Sequence, residues 1–166
     1  VCTGSEAGFW VFSGRDLTPG QPPKALTDAH RLDLATGAWT AAGAIQPAGA
    51  SKPAAVVAGA AVPLEAGRIM VLGGDDADVA TLLEAAATRG TSVEEREAWA
   101  RFVRAALESH PGYRREELLF DTRSSTWSVA GHFPQGTPAA APAFLWDGAL
   151  VIAGGEPRPG QRSATV

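Results

Sequence analysis

Leu32-Asp33-Leu34-Ala35-Thr36-Gly37-Ala38-Trp39-Thr40-Ala41-Ala42-Gly43 decides the fold, because it recurs 88 residues later as Phe120-Asp121-Thr122-Arg123-Ser124-Ser125-Thr126-Trp127-Ser128-Val129-Ala130-Gly131. Asp and Trp stand six residues apart in both copies. Each copy reads as a strand, a polar turn and a second strand opened by Trp, which is a β-hairpin pattern. A second element recurs three times, an apolar run ending in a small pair: Phe9-Trp10-Val11-Phe12-Ser13-Gly14, Ile69-Met70-Val71-Leu72-Gly73-Gly74 and Leu150-Val151-Ile152-Ala153-Gly154-Gly155. Four β-favouring residues bounded by glycine predict a buried strand. The glycine permits a positive φ or a close backbone approach.

The two elements alternate. Gly14 to Trp39 is 25 residues and Gly74 to Trp127 is 53, so the second unit carries an excess of 28. Asp78 to Ala87 is Ala/Leu-rich and helical in pattern, stopping at Gly90. Ser92 followed by Glu95 is a capping box. Trp99, Phe102, Val103, Ala106 and Leu107 then form an apolar stripe at helical spacing. The sequence predicts a helical hairpin inserted over residues 76–115 and ending near Pro111.

Units of four strands with a Gly-Gly pair and a downstream Trp, recurring about every 50 residues, are the sequence form of a Kelch propeller blade. The expected fold is all-β: a Kelch-type β-propeller fragment spanning residues 1–166, with an inserted helical hairpin in its second blade. It holds later strands of one blade, a whole second blade and opening strands of a third, about two and a half in all. A closed ring needs about 4–8. Val1 is not an initiator Met and no signal segment precedes Phe9, which fits an expected fragment.

Composition narrows the function. A net charge of -4, from 14 Lys+Arg against 18 Asp+Glu, argues against a nucleic-acid partner. No stretch reaches the roughly 18 uncharged apolar residues of a membrane-spanning helix, so no membrane partner is expected. The single cysteine, Cys2, excludes an internal disulfide framework or a Cys-rich metal site. Hydrophobic content of 45% is ordinary for a globular chain, and 19 Gly with 12 Pro call for many turns.

Metal and nucleophile signatures are weak. His30, His110 and His132 are isolated and read as surface or satisfied polar residues. Asp75, Asp76 and Asp78 lack the glycine and closing Glu of a calcium loop, so they read as a solvated loop capping the inserted helix. Arg96, Arg101 and Arg104 read as that helix's solvated face. A copper-radical site would need Tyr and Cys near the metal, and the chain offers Tyr113 and terminal Cys2. No metal and no cofactor is expected.

One loop stands apart: Gly154-Gly155-Glu156-Pro157-Arg158-Pro159-Gly160-Gln161-Arg162-Ser163. Proline and glycine stiffen and turn it. Arg gives a planar grip on a carboxylate and Glu can move protons. From spacing alone, a salt-bridged surface loop between strands is the favoured reading. Residues 155–163, however, meet at every defined position the pattern Gly-Glu-x-(Lys/Arg)-Pro-Gly-x-Arg-(Thr/Ser). The loop therefore resembles the Kelch-like N-acetylneuraminate (sialic acid) mutarotases, also called epimerases, and their cyclically permuted relatives. Gly154 replaces the first residue of the family loop, and a helical insertion in the preceding blade is also a family feature.

The resemblance implies a central slice of a six-bladed propeller acting on a sugar acid, sialic acid, as an isomerase that interconverts its anomers without a cofactor. It implies a periplasmic or secreted bacterial setting. The family's active-site Glu and Arg map onto Glu156 and Arg162, and Gly155, Arg158 and Ser163 are the candidate substrate-binding residues. The rival expectation is a non-catalytic propeller that binds a sugar or a protein.

Overall fold

The computed structural model describes residues 1–5, 8–19, 21, 23–76, 81 and 92–165. Strands β1 (Cys2–Ser5), β2 (Gly8–Asp16), β3 (Lys24–Leu32) and β4 (Trp39–Ala44) form one antiparallel sheet in sequential order. Strands β5 (Ala60–Leu64), β6 (Arg68–Leu72), β7 (Glu116–Asp121) and β8 (Thr126–His132) form a second sheet of the same order. Strands β9 (Ala143–Trp146) and β10 (Ala149–Ile152) pair as a hairpin. β1 neighbours β5, and β5 neighbours β9, so the first strands of successive units lie side by side. This mostly β, antiparallel arrangement is consistent with a propeller fragment. The first sheet is complete at four strands, one feature beyond the sequence reading, which supplied only its later strands.

The predicted hairpins are β3–β4 and β7–β8, closed by Leu32 opposite Trp39 and Phe120 opposite Trp127. The same side chain builds both turns. Asp33 Oδ1 accepts from the Ala35 and Thr36 amides at 3.0 and 2.9 Å, and Asp121 Oδ1 accepts from Arg123 and Ser124 at 2.8 and 3.1 Å. These bonds stabilise the ionised form, so both carboxyls titrate below their ordinary 3.8. With the folded value depressed, the contribution to stability is present above 3.8 and lost as pH falls through the folded value. An Asp33→Asn/Asp121→Asn variant keeps the acceptors but not the charge. Its stability should fall less on acidification, as urea unfolding at a series of pH values would show. Equal acid losses in both proteins would show that the turns contribute none.

The core lies between the two four-stranded sheets. Trp10 and Phe12 on β2, Ile69 and Val71 on β6, Leu118 and Phe120 on β7, and Trp127 on β8 are buried together. The aromatic rings meet edge to face: Phe12 and Phe120 at 5.4 Å, Phe12 and Trp127 at 5.3 Å, Trp10 and Phe120 at 5.1 Å. The repeat's two tryptophans differ. Trp127 faces the first sheet and is 5% exposed, while Trp39 is 55% exposed because no described sheet covers its side of the first unit. For the same reason the third apolar run, β10, contains no fully buried residue, unlike β2 and β6.

The helix α1 (Val93–Ser109) starts at the predicted capping box, with Ser92 Oγ accepting from the Glu95 amide and Glu95 Oε2 accepting from the Ser92 amide, both at 3.2 Å. None of its residues is fully buried, and Phe102 of its apolar stripe is 53% exposed. The first arm of the expected helical hairpin, Asp78 to Ala87, lies outside the described residues apart from Thr81.

Candidate functional site

The Gly-Gly pair shapes the chain where each apolar strand ends. Gly73 and Gly74 have φ of 61° and 77°, Gly154 and Gly155 of 63° and 95°. Such backbone suits glycine, and space excludes a side chain as well. A Cβ on Gly74 would meet Val56 C at 2.7 Å, and one on Gly155 would meet Ala141 Cβ at 2.6 Å and Ala139 O at 2.9 Å. The close approach lets the next residue bridge backward. Asp75 exchanges two backbone bonds of 2.9 Å with Val57, and Glu156 exchanges two of 2.9 Å with Ala139. Asp75 is thus the second unit's counterpart of Glu156.

Beyond Glu156 the chain turns and comes back. Ser163 N donates to Gly155 O at 2.9 Å and Gly154 N to Thr165 O at 2.7 Å, while Gln161 N closes the tip on Arg158 O at 2.9 Å. Glu156 Oε1 accepts from the Gly160 amide at 2.6 Å, so the carboxylate braces its own loop. The same oxygen accepts from the Tyr113 hydroxyl at 3.2 Å.

Tyr113 belongs to the stretch returning from α1 to β7, which is anchored by its backbone. Arg114 N donates to Gly74 O at 3.3 Å, Thr137 N donates to Arg114 O at 3.1 Å, and Phe133 N donates to Arg115 O at 2.9 Å. The phenol is pushed above its ordinary 10.0, first by burial, then by the charge of Glu156 and the hydrogen bond to it, and then by the charge of Asp75. It stays protonated and remains a donor at neutral pH.

Tyr113 also lines a cavity of about 520 Å³, together with Asp75, His110, Arg114, Glu116 and His132. Arg114 Nη1 donates to Glu116 Oε2 at 3.3 Å and Nη2 to Ala55 O at 3.4 Å. Glu156 lies outside the cavity lining and meets the cavity through Tyr113. Two of the three isolated histidines have local partners: His30 Nε2 lies 2.9 Å from Asp28 Oδ2, and His110 Nδ1 accepts from the Gly112 amide at 3.1 Å. Among the described residues, no group of three or more His, Cys, Asp or Glu side chains is arranged to hold a metal ion.

The sequence-predicted residues fall into two sets. Glu156 is half-buried, and Gly155 sits directly behind it against Ala139 and Ala141. Ser163 is half-buried and its hydroxyl is engaged within the loop, donating to Thr165 Oγ1 at 2.8 Å and accepting from Thr165 N at 3.1 Å. Arg158 and Arg162 are exposed, and among the described residues neither guanidinium has a hydrogen-bond or ion-pair partner. Sequence reasoning missed Tyr113, which stands 43 residues from Glu156. The sole hint was a lone tyrosine after Pro111-Gly112 and before two arginines, directly ahead of a strand.

No protein-family model matches the chain, and no curated protein sequence matches it. Among solved structures, that of a protein called YjhT matches with a TM-score of 0.72 and 21% identity, over 97% of this chain and 45% of that one. The likeness extends to the fold, and this chain spans less than half the length of that protein.

Proposed function

We propose that this chain is part of a six-bladed Kelch-type propeller, periplasmic or secreted, that interconverts the α and β anomers of sialic acid. One observation carries the reading. In the loop that meets the mutarotase pattern at every defined position, Glu156 has one carboxylate oxygen, Oε1, held by the Gly160 amide and the Tyr113 hydroxyl. A carboxylate fixed in this way can exchange protons from a defined position, as a general base requires.

In the proposed reaction, Glu156 takes the proton of the anomeric hydroxyl at C2. The bond from C2 to the ring oxygen breaks as the C2 carbonyl forms, and the ring oxygen takes a proton from water. Rotation about the bond to C2 presents the other face of the carbonyl. The hydroxyl then closes the ring, losing its proton to water, and Glu156 returns its proton to the former carbonyl oxygen. Arg162, exposed and without a partner among the described residues, would grip the substrate carboxylate in a bidentate fork. Gly155, Arg158 and Ser163 would line the approach.

The test follows α-to-β exchange by proton NMR after a sialidase releases the α anomer, with and without the full-length protein. Exchange faster than the spontaneous rate is expected. Sialic acid binding with no acceleration would instead favour a non-catalytic binding propeller.

A further inference from the structure

We infer that Tyr113 is a positioning residue for Glu156: together with the Gly160 amide it occupies Oε1, which leaves Oε2 as the oxygen that exchanges the proton with the sugar. The inference rests on the mutarotase reading and goes beyond it, because the loop pattern that carries that reading does not include Tyr113.

The geometry is specific at the atomic level. Both donors reach the same oxygen, Gly160 N at 2.6 Å and Tyr113 Oη at 3.2 Å. Oε2 has no partner among the described residues. The two donors come from different parts of the fold. Gly160 lies in the same loop as Glu156, whereas Tyr113 comes from the segment that follows α1 and is pinned to Gly74 and Thr137 through the backbone of Arg114. Tyr113 therefore ties the Glu156 loop to the second sheet, and its ring also forms part of the cavity wall.

Glu156 and Asp75 are the charges that act on the phenol, and Asp76, His110, Arg114, Arg115, Glu116 and His132 line the cavity that it shares. His110 is in ring contact with it at 5.6 Å. With two carboxylates nearby, the phenol remains neutral and can serve as a lasting donor. In the reaction Tyr113 loses no proton, so the balance of the ring-opening step is unchanged.

Tyr113→Phe in the full-length protein removes the hydroxyl and keeps the ring. The expected result is a fall in kcat of about 10–10²-fold with KM unchanged, the scale of one hydrogen bond to a charged group. A second readout does not depend on turnover. The phenol absent from Tyr113→Phe is identified by ultraviolet difference titration, and in Glu156→Gln it should ionise at lower pH, closer to its ordinary 10.0. Acceleration by the wild type that Tyr113→Phe fully retains would overturn the inference and leave the mutarotase reading intact. A phenol titration indifferent to Glu156→Gln would overturn it as well, because the pair would then not exist. No acceleration by the wild type would remove the reading, and the inference with it.

Discussion

On the mutarotase reading proposed above, Glu156→Gln in the full-length protein should slow anomer exchange by about 10²–10⁴-fold, the usual contribution of a positioned general base. That corresponds to about 3–5 kcal/mol of barrier. The substitution suits the site because Gln retains Oε1, which can still accept from the Gly160 amide and the Tyr113 hydroxyl. What disappears is the capacity to take a proton, since an amide nitrogen replaces Oε2. The loop should keep its shape, the melting temperature should hold, and KM should change little. Proton NMR exchange rates for both proteins, beside thermal melts, provide the check. Turnover equal to the wild type would show that Glu156 is not the base and serves only to brace its loop.

The second large effect is on stability. Phe120→Ala should cost about 3–5 kcal/mol, the range for deleting a fully buried aromatic ring. Phe120 is 0% exposed and contacts rings of both sheets: Trp10 at 5.1 Å and Phe12 at 5.4 Å on the first, Trp127 at 4.7 Å on its own. Truncation opens a cavity at the joint between sheets, where the rings of strands on either side cannot collapse without shifting a whole sheet. Native stability is only about 5–15 kcal/mol, so this variant should unfold at much lower urea. Phe144→Ala makes the control. Phe144 is 43% exposed and its loss should cost far less. Similar midpoints for the two variants would mean that the sheets are not held together by this aromatic cluster.

The hairpins were legible because their cause is local. An Asp three residues before the turn's end accepts from amides two and three positions on, so Asp33 and Asp121 specify their turns whatever packs outside. The capping box at Ser92 is legible for the same reason. β1 was not. Cys2-Thr3-Gly4-Ser5 is short, polar and without alternation, and it is a strand because the edge of β2 offers it a partner. The candidate site divides likewise. The Glu156 loop stands out by its Gly and Pro spacing, whereas Tyr113 reaches Glu156 across 43 residues with no periodicity to announce it.

The amino-acid sequence by itself determined the repeat, the hairpin turns, the helix start and the places where the backbone must be glycine. The turns and the helix start depend on hydrogen bonds within a few residues, and the glycines on the dihedral limits of their own backbone. Tertiary structure alone decided that Trp127 is buried while its repeat partner Trp39 is exposed, because burial depends on which sheet face is covered and not on the residue's own strand. It alone brought Tyr113 to Glu156. That pairing follows from two Gly-Gly bridges, Val57 with Asp75 and Ala139 with Glu156, which fix the neighbouring units' loops at one end, where the segment from α1 passes between Gly74 and Thr137.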